Sequence, residues 1–330
     1  MKKAILESFG DPGKVIRCVD APDPGPPAPD EIVFDVLAHP INPADLNLLM
    51  GRNPVHPPLP LTPGAECVGR VTAVGAAVTD LEPGDRVINL QRENWVQKRR
   101  VKAIDAIKVR DDIPVAQAAM LRINPPTALL LLEDVVPLKA GDWVIQNGAN
   151  SAVGKILIGL ARDKGLRTIN VVRRIGLASM LKAWGADHVI EDGPDLAARI
   201  AAAIDGEQVR YAIDCVGGDA VHRLADAVAD GGTVCNYGGL SGEDCRMSPH
   251  ALIYRGLDLT GFLLGRFLAK RNREQVVALY DRLAERIRLG RIDVPVEKVY
   301  PIERVSEAVA HAAAYSRSGK ILVAPNGAIE

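Results

Sequence analysis

Apolar and polar positions in the second half of the chain follow the pattern of a parallel sheet with helices between its strands. Six short apolar runs predict buried strands, and helical patterns lie between them. The first predicted strand begins at Trp143, and the others lie in the runs 168–174, 188–190, 211–218, 232–239 and 257–262. Strands that alternate with helices predict an α/β domain built on a doubly wound parallel sheet.

The first hundred or so residues have a different pattern, in which short β-branched runs are separated by proline and glycine. The runs at 31–38 and 67–75, followed by a turn that enters a strand at 82–87, predict a partly open β-barrel.

The end of the chain is predicted to return to the first domain. An amphipathic helix at 273–289 and a segment at 306–315 precede a closing strand at 320–323. We therefore predict three parts: a first, catalytic domain at 1–119, a parallel-sheet domain at 120–264 and a return segment at 265–330.

A turn of small residues joins the first predicted strand to a helix, in the order of a βαβ dinucleotide-binding unit. Small residues let backbone N–H groups approach a pyrophosphate at the helix N-terminus. The three glycines of the pattern G-x-G-x-x-G correspond to Ala149, Ser151 and Gly154. Only the third position is still glycine, and this is the one that permits close helix–strand packing. The motif alone is weak, and the prediction depends on the order of the whole unit.

The second strand of this unit ends on Arg173 and Arg174. An NAD site usually has Asp or Glu at this place, where it binds the ribose 2′-hydroxyl. Guanidinium groups match a 2′-phosphate, which a carboxylate would repel. We therefore predict NADP(H) as the cofactor. The alternative is a solvated basic strand end.

Charge and composition limit the classes of partner. The 330 residues include 40 Lys and Arg and 41 Asp and Glu, so the formal net charge is −1. This balance predicts neither a nucleic-acid nor a membrane partner, and we expect the run Lys98-Arg99-Arg100 to be a solvated barrel face.

The chain start resembles neither a signal nor a transit peptide, so we expect a cytoplasmic protein. The five cysteines contain no C-x-x-C pair, which argues against a structural zinc site or a disulfide framework.

Seven short motifs follow one another along the chain. They are Ile41–Asn47, Ile123–Ala128, Asn147–Gly154, Ile169–Arg173, Cys215–Gly218, Tyr237–Leu240 and Gly261–Leu264. With these motifs the chain resembles the medium-chain dehydrogenase/reductase superfamily over nearly its whole length. It looks most similar to the zinc-free branch of 2-enoyl thioester (trans-2-enoyl-CoA) reductases. The resemblance implies a GroES-like barrel domain and a Rossmann domain.

The resemblance also bears on zinc. Zinc alcohol dehydrogenases of the superfamily use a Cys early in the barrel and a His in a Gly-His-Glu segment. Asn42 and Ala65 stand at the corresponding positions, and neither replaces a thiolate or an imidazole as a Zn²⁺ ligand. Without this Lewis acid, alcohol oxidation loses its main electrophile, whereas reduction of an activated C=C needs only a carbonyl polarised by hydrogen bonds and a proton. We predict a metal-free enzyme for an enone or enoyl thioester.

Asn53 is the main departure from the similar reductases, which carry a Tyr there as proton donor or orienting group. An amide does not donate a proton at neutral pH, but it can hold a hydrogen bond to a carbonyl. Three accounts stay open. Water or His56 protonates the carbon, Asn53 positions the substrate, or the chain is weakly active or inactive as an enoyl reductase. The alternative for His56 is an exposed loop histidine beside prolines.

The resemblance and the strand-end rule together predict a set of cofactor contacts. They are Asn124, Asn150, Ser151, Ala152, Val153, Arg173, Arg174, Tyr237, Gly238, Gly239, Leu240, Phe262, Leu263, Leu264 and Lys320. Asn42 and Asn124 resemble residues that line the active-site cleft, with turn capping as the alternative, since each precedes a proline. Ordinary burial is the alternative for 262–264. Asp214 also ends a strand, where capping of the next helix is its simplest role.

These observations predict an NADPH-dependent oxidoreductase that reduces the C=C bond of a 2-enoyl thioester or a similar α,β-unsaturated carbonyl compound. One alternative is a quinone- or enal-reducing enzyme. The other is an NADPH-binding sensor or scaffold that lacks the catalytic Tyr. The strand Leu257–Phe262 is expected at the sheet edge. We predict a homodimer, because pairing this strand with its symmetry mate removes an exposed apolar edge.

Overall fold

The computed structural model describes residues 1–53, 56–314 and 317–329. The chain forms two compact units: the first comprises residues 1–123 and 274–330, and the second comprises residues 124–273. The boundaries between the units therefore lie at 123/124 and 273/274, whereas the sequence predicts boundaries at 119/120 and 264/265. Among the described residues, no helix combines the length and the apolar character needed to cross a bilayer.

The first part of the first unit consists of short strands and short helices. They are β1 (Lys2–Leu6), α1 (Pro12–Val15), β2 (Ile16–Asp20), β3 (Glu31–Pro40), α2 (Pro43–Leu49), β4 (Val68–Val74), β5 (Arg86–Asn89), β6 (Lys98–Lys102), β7 (Ala106–Lys108) and α3 (Val115–Ala119).

The second unit alternates strands with helices. Its elements are α4 (Asn124–Glu133), β8 (Trp143–Gln146), α5 (Ala152–Asp163), β9 (Arg167–Val172), α6 (Ala178–Ala183), β10 (His188–Glu191), α7 (Leu196–Ala203), β11 (Val209–Asp214), α8 (Asp219–Ala227), β12 (Thr233–Asn236), β13 (Asp258–Gly261) and α9 (Leu264–Leu268). The chain then continues through α10 (Arg273–Arg288), β14 (Val296–Tyr300), α11 (Val305–Ala313) and β15 (Lys320–Val323). The end of the segment predicted at 306–315 lies outside the described residues.

A mainly antiparallel sheet forms the body of the first unit. Among its described residues, the strands lie in the order β14, β15, β3, β4, β5 and β7, and β6 also pairs with β3. The closing strand β15 runs antiparallel to β3, so the last strand of the chain completes this sheet. Alternate residues of β3, including Ile32, Phe34 and Val36, are fully buried in one apolar cluster. A second cluster packs Ile321 of β15 against Val309 of α11.

A six-stranded parallel sheet forms the second unit, all of whose residues are described. The strand order is β10, β9, β8, β11, β12 and β13. This is the predicted doubly wound sheet, and each of its six strands overlaps one of the predicted runs. Its apolar strands pack against α7 and α8 in one core cluster. The strand order reverses between β8 and β11, and ligands of such sheets bind beyond the carboxyl ends of the strands at this switch point.

Candidate active site

The turn after β8 has the geometry of a phosphate-binding loop. Ser151 is the N-cap residue of α5, and its Oγ accepts a hydrogen bond from the N–H of Gly154 at 3.1 Å. The N-terminus of this 12-residue helix therefore faces the turn. Unpaired N–H groups and the helix dipole attract anions to such a position. Of the neighbouring predicted contacts, Asn150 is exposed, Ala152 is half-buried and Val153 is buried.

Two glycines let the backbone of this turn pack closely. A Cβ added at Gly154 would lie 2.5 Å from the carbonyl oxygen of Ala149. Gly148 has a φ of +55°, in the left-handed region, and a Cβ there would collide with the thiol of Cys215. Gly154 thus makes the close helix–strand approach that the degenerate motif predicts.

Arg173 and Arg174 follow β9, and both are exposed. Within residues 1–53, 56–314 and 317–329, neither guanidinium has a hydrogen-bond or ionic partner. The carboxylate that follows the neighbouring strand, Asp192, accepts two hydrogen bonds from Arg223 at 2.7 and 2.6 Å. That carboxylate is therefore already paired, and the two arginines remain available to an anionic ligand.

Loops at the carboxyl ends of β11 and β12 are joined by backbone hydrogen bonds. The N–H of Leu240 donates to the carbonyl of Cys215 at 3.0 Å, and the N–H of Ser241 donates to that of Val216 at 2.9 Å. Leu240 is 57% exposed. Gly238 is half-buried and Gly239 is exposed, so the tip of this loop is open to a ligand.

Tyr237 connects this loop to the turn before α5. Its hydroxyl interacts with the thiol of Cys215 and the hydroxyl of Ser151, and burial raises the pKa of Tyr237 well above its usual range. The structure therefore brings together two predicted contact residues, Tyr237 and Ser151, that lie 86 positions apart in the sequence.

Two further predicted contacts are buried. Asn124 is the first residue of α4, and its Nδ2 has no hydrogen-bond partner among the described residues. A buried amide without a partner favours a ligand contact over turn capping. Phe262 follows β13 and stacks on Phe267 with ring centroids 4.3 Å apart, so its burial has a packing explanation. Leu263 is 58% exposed and Leu264 is half-buried.

A buried polar cluster lies in the first unit around Asn42, the N-cap residue of α2. The Asn42 Nδ2 donates to Glu66 Oε1 at 2.7 Å, and its Oδ1 accepts a hydrogen bond from the Lys320 ammonium group. The other carboxylate oxygen of Glu66 accepts from the N–H of Ile123 at 3.0 Å. The side chain of Asn42 therefore joins a carboxylate to an ammonium group.

Burial shifts the titration of the charged groups in this cluster. It raises the pKa of Glu66 to about 7 and lowers the pKa of Lys320 to about 8. It also raises the pKa of Asp45 to about 6, although Asp45 accepts hydrogen bonds from the N–H groups of Asn42 and Ala65. Opposite charges and hydrogen bonds reduce each shift without reversing it.

The two positions that correspond to zinc ligands have side chains unsuited to zinc. Asn42 presents an amide already bonded to an ammonium group, and Ala65 presents a buried methyl group. In the described ranges, no group of three His, Cys, Asp or Glu side chains is placed to hold a metal ion.

Asn53 and His56 lie on either side of two residues outside the described part of the chain. Asn53 is half-buried, and its side chain has no hydrogen-bond partner among the residues described. His56 is exposed, its Nε2 lies 2.8 Å from the carbonyl oxygen of Gly51, and its ring contacts Phe9 edge-on. These contacts explain His56 as a loop residue. Asn53 remains available to a ligand.

Sequence reasoning missed two buried carboxylates. Glu66, which follows Ala65, is not among the predicted site residues, yet it accepts hydrogen bonds from Asn42 and Ile123. Asp214 was considered as a helix cap, but α8 has Gly218 as its N-cap residue, and the carboxylate bonds elsewhere. The sequence shows that Glu66 follows a proline turn and that Asp214 ends a predicted strand. It does not show their hydrogen-bond partners, because most of these are distant in the sequence.

Two family models match the chain. "Alcohol dehydrogenase GroES-like domain" matches residues 28–103, and "Zinc-binding dehydrogenase" matches residues 152–282. The first match confirms the predicted GroES-like character of the N-terminal part.

Relatives and solved structures agree with these matches. Human mitochondrial enoyl-[acyl-carrier-protein] reductase is 37% identical over 319 residues, which is 94% of this chain and 84% of the relative. The structure of Escherichia coli quinone oxidoreductase complexed with NADPH has a TM-score of 0.90 and 26% identity, covering 98% of this chain and all of the other. A mutant form of enoyl thioester reductase from Candida tropicalis has a TM-score of 0.84 and 25% identity, covering 98% and 99%.

Proposed function

The chain belongs to the medium-chain dehydrogenase/reductase superfamily, and we propose that it uses NADPH to reduce the C=C bond of a 2-enoyl thioester. At the coarser level it is an oxidoreductase that acts on CH–CH groups, as its enoyl reductase relatives indicate. NADPH, metal independence and the thioester are the parts that we propose.

The observation that carries the proposal is the cluster around Asn42. An amide, Asn42, and a methyl group, Ala65, stand where a zinc-dependent member needs a thiolate and an imidazole, and the Lys320 ammonium group donates to that amide. Reduction of a conjugated C=C needs no Lewis acid if hydrogen bonds polarise the carbonyl. A metal-free site of this kind therefore favours an enoyl or enone substrate over an alcohol.

NADP(H) fits the residues of the second unit. The α5 N-terminus, with Ser151 and Val153, would hold the pyrophosphate, and Arg173 and Arg174 would pair with the 2′-phosphate. Asn124, the Tyr237–Leu240 loop and 262–264 are proposed for the nicotinamide half. Lys320 stays a predicted cofactor contact, although its ammonium group already bonds Asn42.

Bound NADPH supplies the hydride that the β-carbon of the substrate accepts. We assign Asn53 to the substrate, because its amide has no partner in the described residues and can donate a hydrogen bond to the thioester carbonyl. Such a bond stabilises the negative charge that develops on the carbonyl oxygen. The proton for the α-carbon then comes from water or from His56, and His56 must first leave the Gly51 carbonyl.

Quinone reduction is the second candidate function. The structural similarity to a quinone oxidoreductase complexed with NADPH favours it, as does the absence of a phenol at position 53. A quinone takes its proton on oxygen, so its reduction depends less on a positioned carbon acid.

Steady-state assays with crotonyl-CoA and with a 1,4-quinone, each with NADPH, separate these functions. We expect the higher kcat/KM with crotonyl-CoA. A higher kcat/KM with the quinone would transfer the assignment to the second candidate. Tight NADPH binding without turnover of either substrate would support a sensor or scaffold.

We also propose a homodimer formed through β13. All four residues of this edge strand are exposed, and Leu259 is 37% exposed. The adjacent turn places Ile253 and Tyr254 in solvent at 71% and 79% exposure. An exposed edge strand is normally covered, and isologous pairing with a second copy would cover it together with the apolar side chains of Leu259, Ile253 and Tyr254. The cytoplasmic location stays a prediction of the sequence, and the relatives matched here are mitochondrial.

A further inference from the structure

Asp214 is a fully buried carboxylate at the end of β11, and four groups donate hydrogen bonds to it. The amide of Asn147 and the N–H of Val216 donate to its Oδ1, the second at 3.2 Å. The N–H of Gly217 and the amide of Asn236 donate to its Oδ2 at 3.0 and 2.5 Å. Each oxygen of this carboxylate therefore accepts two hydrogen bonds, one from a backbone N–H and one from a side-chain amide.

These bonds connect the three loops of the second unit that follow neighbouring strands. Asn147 follows β8, Val216 and Gly217 follow β11, and Asn236 ends β12. The bond between Asn147 and Asp214 spans the switch point of the sheet, between β8 and β11. Asp214 therefore holds together the loops that are expected to face a dinucleotide.

No cation neutralises this buried charge. Throughout the second unit, whose residues are all described, no Lys, Arg or His side chain forms an ion pair with Asp214. Burial is the main cause that raises the pKa of Tyr237 and of Cys215, and the nearby Asp214 carboxylate raises both further. In a low-dielectric interior, one unpaired charge acts over several ångströms.

We infer that Asp214 is a positioning residue of the cofactor site, which fixes the three loops and whose charge favours the oxidised over the reduced nicotinamide. This inference rests on the proposed function, since it assumes a nicotinamide cofactor. It does not depend on the identity of the substrate.

The charge has a direct chemical consequence. Hydride transfer moves two electrons and one hydrogen nucleus from the nicotinamide to the substrate β-carbon, and the α-carbon then takes a proton. The substrate is reduced, and the neutral dihydronicotinamide ring becomes a cation. With the nicotinamide bound against the three loops that Asp214 holds, its carboxylate would stabilise that cation, and so would favour hydride donation and slow release of the oxidised cofactor.

The test is the Asp214→Asn variant, with the dissociation constants of NADP⁺ and NADPH measured separately by titration. Both affinities are expected to fall, because the new NH₂ group of the variant would face one side-chain amide and one backbone N–H that both donate to Asp214. The affinity for NADP⁺ is expected to fall by roughly three- to tenfold more than that for NADPH, since only the oxidised ring carries the extra charge. An unchanged ratio of the two constants would overturn the inference about charge.

Two matched variants separate charge from position. Asp219→Asn removes an exposed carboxylate that pairs with Arg246, and it is expected to leave the ratio unchanged. Asn236→Ala removes one hydrogen bond to Asp214 and another to the Gly238 carbonyl without changing the charge, so it should weaken both forms equally. If Asn236→Ala binds both cofactor forms as tightly as the native chain, the positioning role of Asp214 is overturned. If either control variant changes the ratio of the NADP⁺ and NADPH dissociation constants, the role of the Asp214 charge is overturned. If the unmodified protein binds neither form, the proposed function itself fails.

Discussion

His39 is buried with no hydrogen bond to either ring nitrogen, and its replacement is expected to make the protein less sensitive to acid. The ring is 0% exposed and stacks on Trp95 with centroids 5.5 Å apart. Both nitrogens lack partners in the described residues. Burial lowers the pKa of His39 from 6.5 to about 3, because a charged ring at this position would lose its hydration.

The magnitude follows from linkage between proton binding and folding. The unfolded chain takes up the proton near pH 6.5, whereas the folded chain takes it up near pH 3. His39 therefore costs no stability above pH 6.5, and its cost grows as the pH falls from 6.5 to 3. Between pH 7.5 and pH 5.0 the loss is about 2 kcal/mol, at about 1.4 kcal/mol for each pH unit below 6.5.

The assay is urea unfolding at pH 7.5 and pH 5.0, followed by circular dichroism, for the native chain and for His39→Leu. We expect the variant to lose about 2 kcal/mol less than the native chain between these pH values. The variant must be compared with the native chain, because the raised pKa values of Asp45 and Glu66 increase the stability of both proteins as the pH falls. This contribution cancels in the difference between the two proteins. His222→Leu, at an exposed position on α8, is the control for loss of a histidine. Equal pH dependence of His39→Leu and the native chain would refute the reasoning.

Four further predictions concern the proposed site and assembly. Arg173→Ala with Arg174→Ala should weaken NADPH binding far more than NADH binding, by about 1.5–3 kcal/mol for each arginine; equal weakening in titrations would contradict the 2′-phosphate assignment. Asn53→Ala should lower kcat/KM by about 10²–10³-fold with NADPH affinity unchanged, and Asn53→Tyr should raise enoyl thioester reduction; no effect of either would remove this position from the mechanism. Gly154→Ala should reduce NADPH affinity, because its Cβ meets the Ala149 carbonyl, whereas Gly176→Ala, with nothing within 4 Å, should not; equal affinities would refute the close-packing argument. Light scattering should give the mass of a dimer, and Leu259→Asp that of a monomer; a monomer mass for the native chain at micromolar concentration would argue against the β13 interface.

The order of strands and helices in the second unit was predictable from the sequence. Apolar runs such as 143–146 and 168–172 are long enough for buried strands, and the residues between them have helical periodicity. The turn at Ser151 and the arginine pair after β9 were also visible, because a cap or a strand end is a local feature. Local sequence specifies such features, since their partners lie within a few residues.

The partners of the buried polar groups were decided by the tertiary structure. Asn42 and Lys320 are 278 residues apart and share a hydrogen bond, and Asn147 and Asp214 are 67 residues apart and share another. Such pairs depend on which strands become neighbours, as when β15 pairs with β3 and β8 with β11. The hydrophobic pattern of a strand records which face is buried but not which strand lies beside it. For this reason the sequence indicates where Asn42 and Asp214 lie, and only the fold makes them parts of charged clusters.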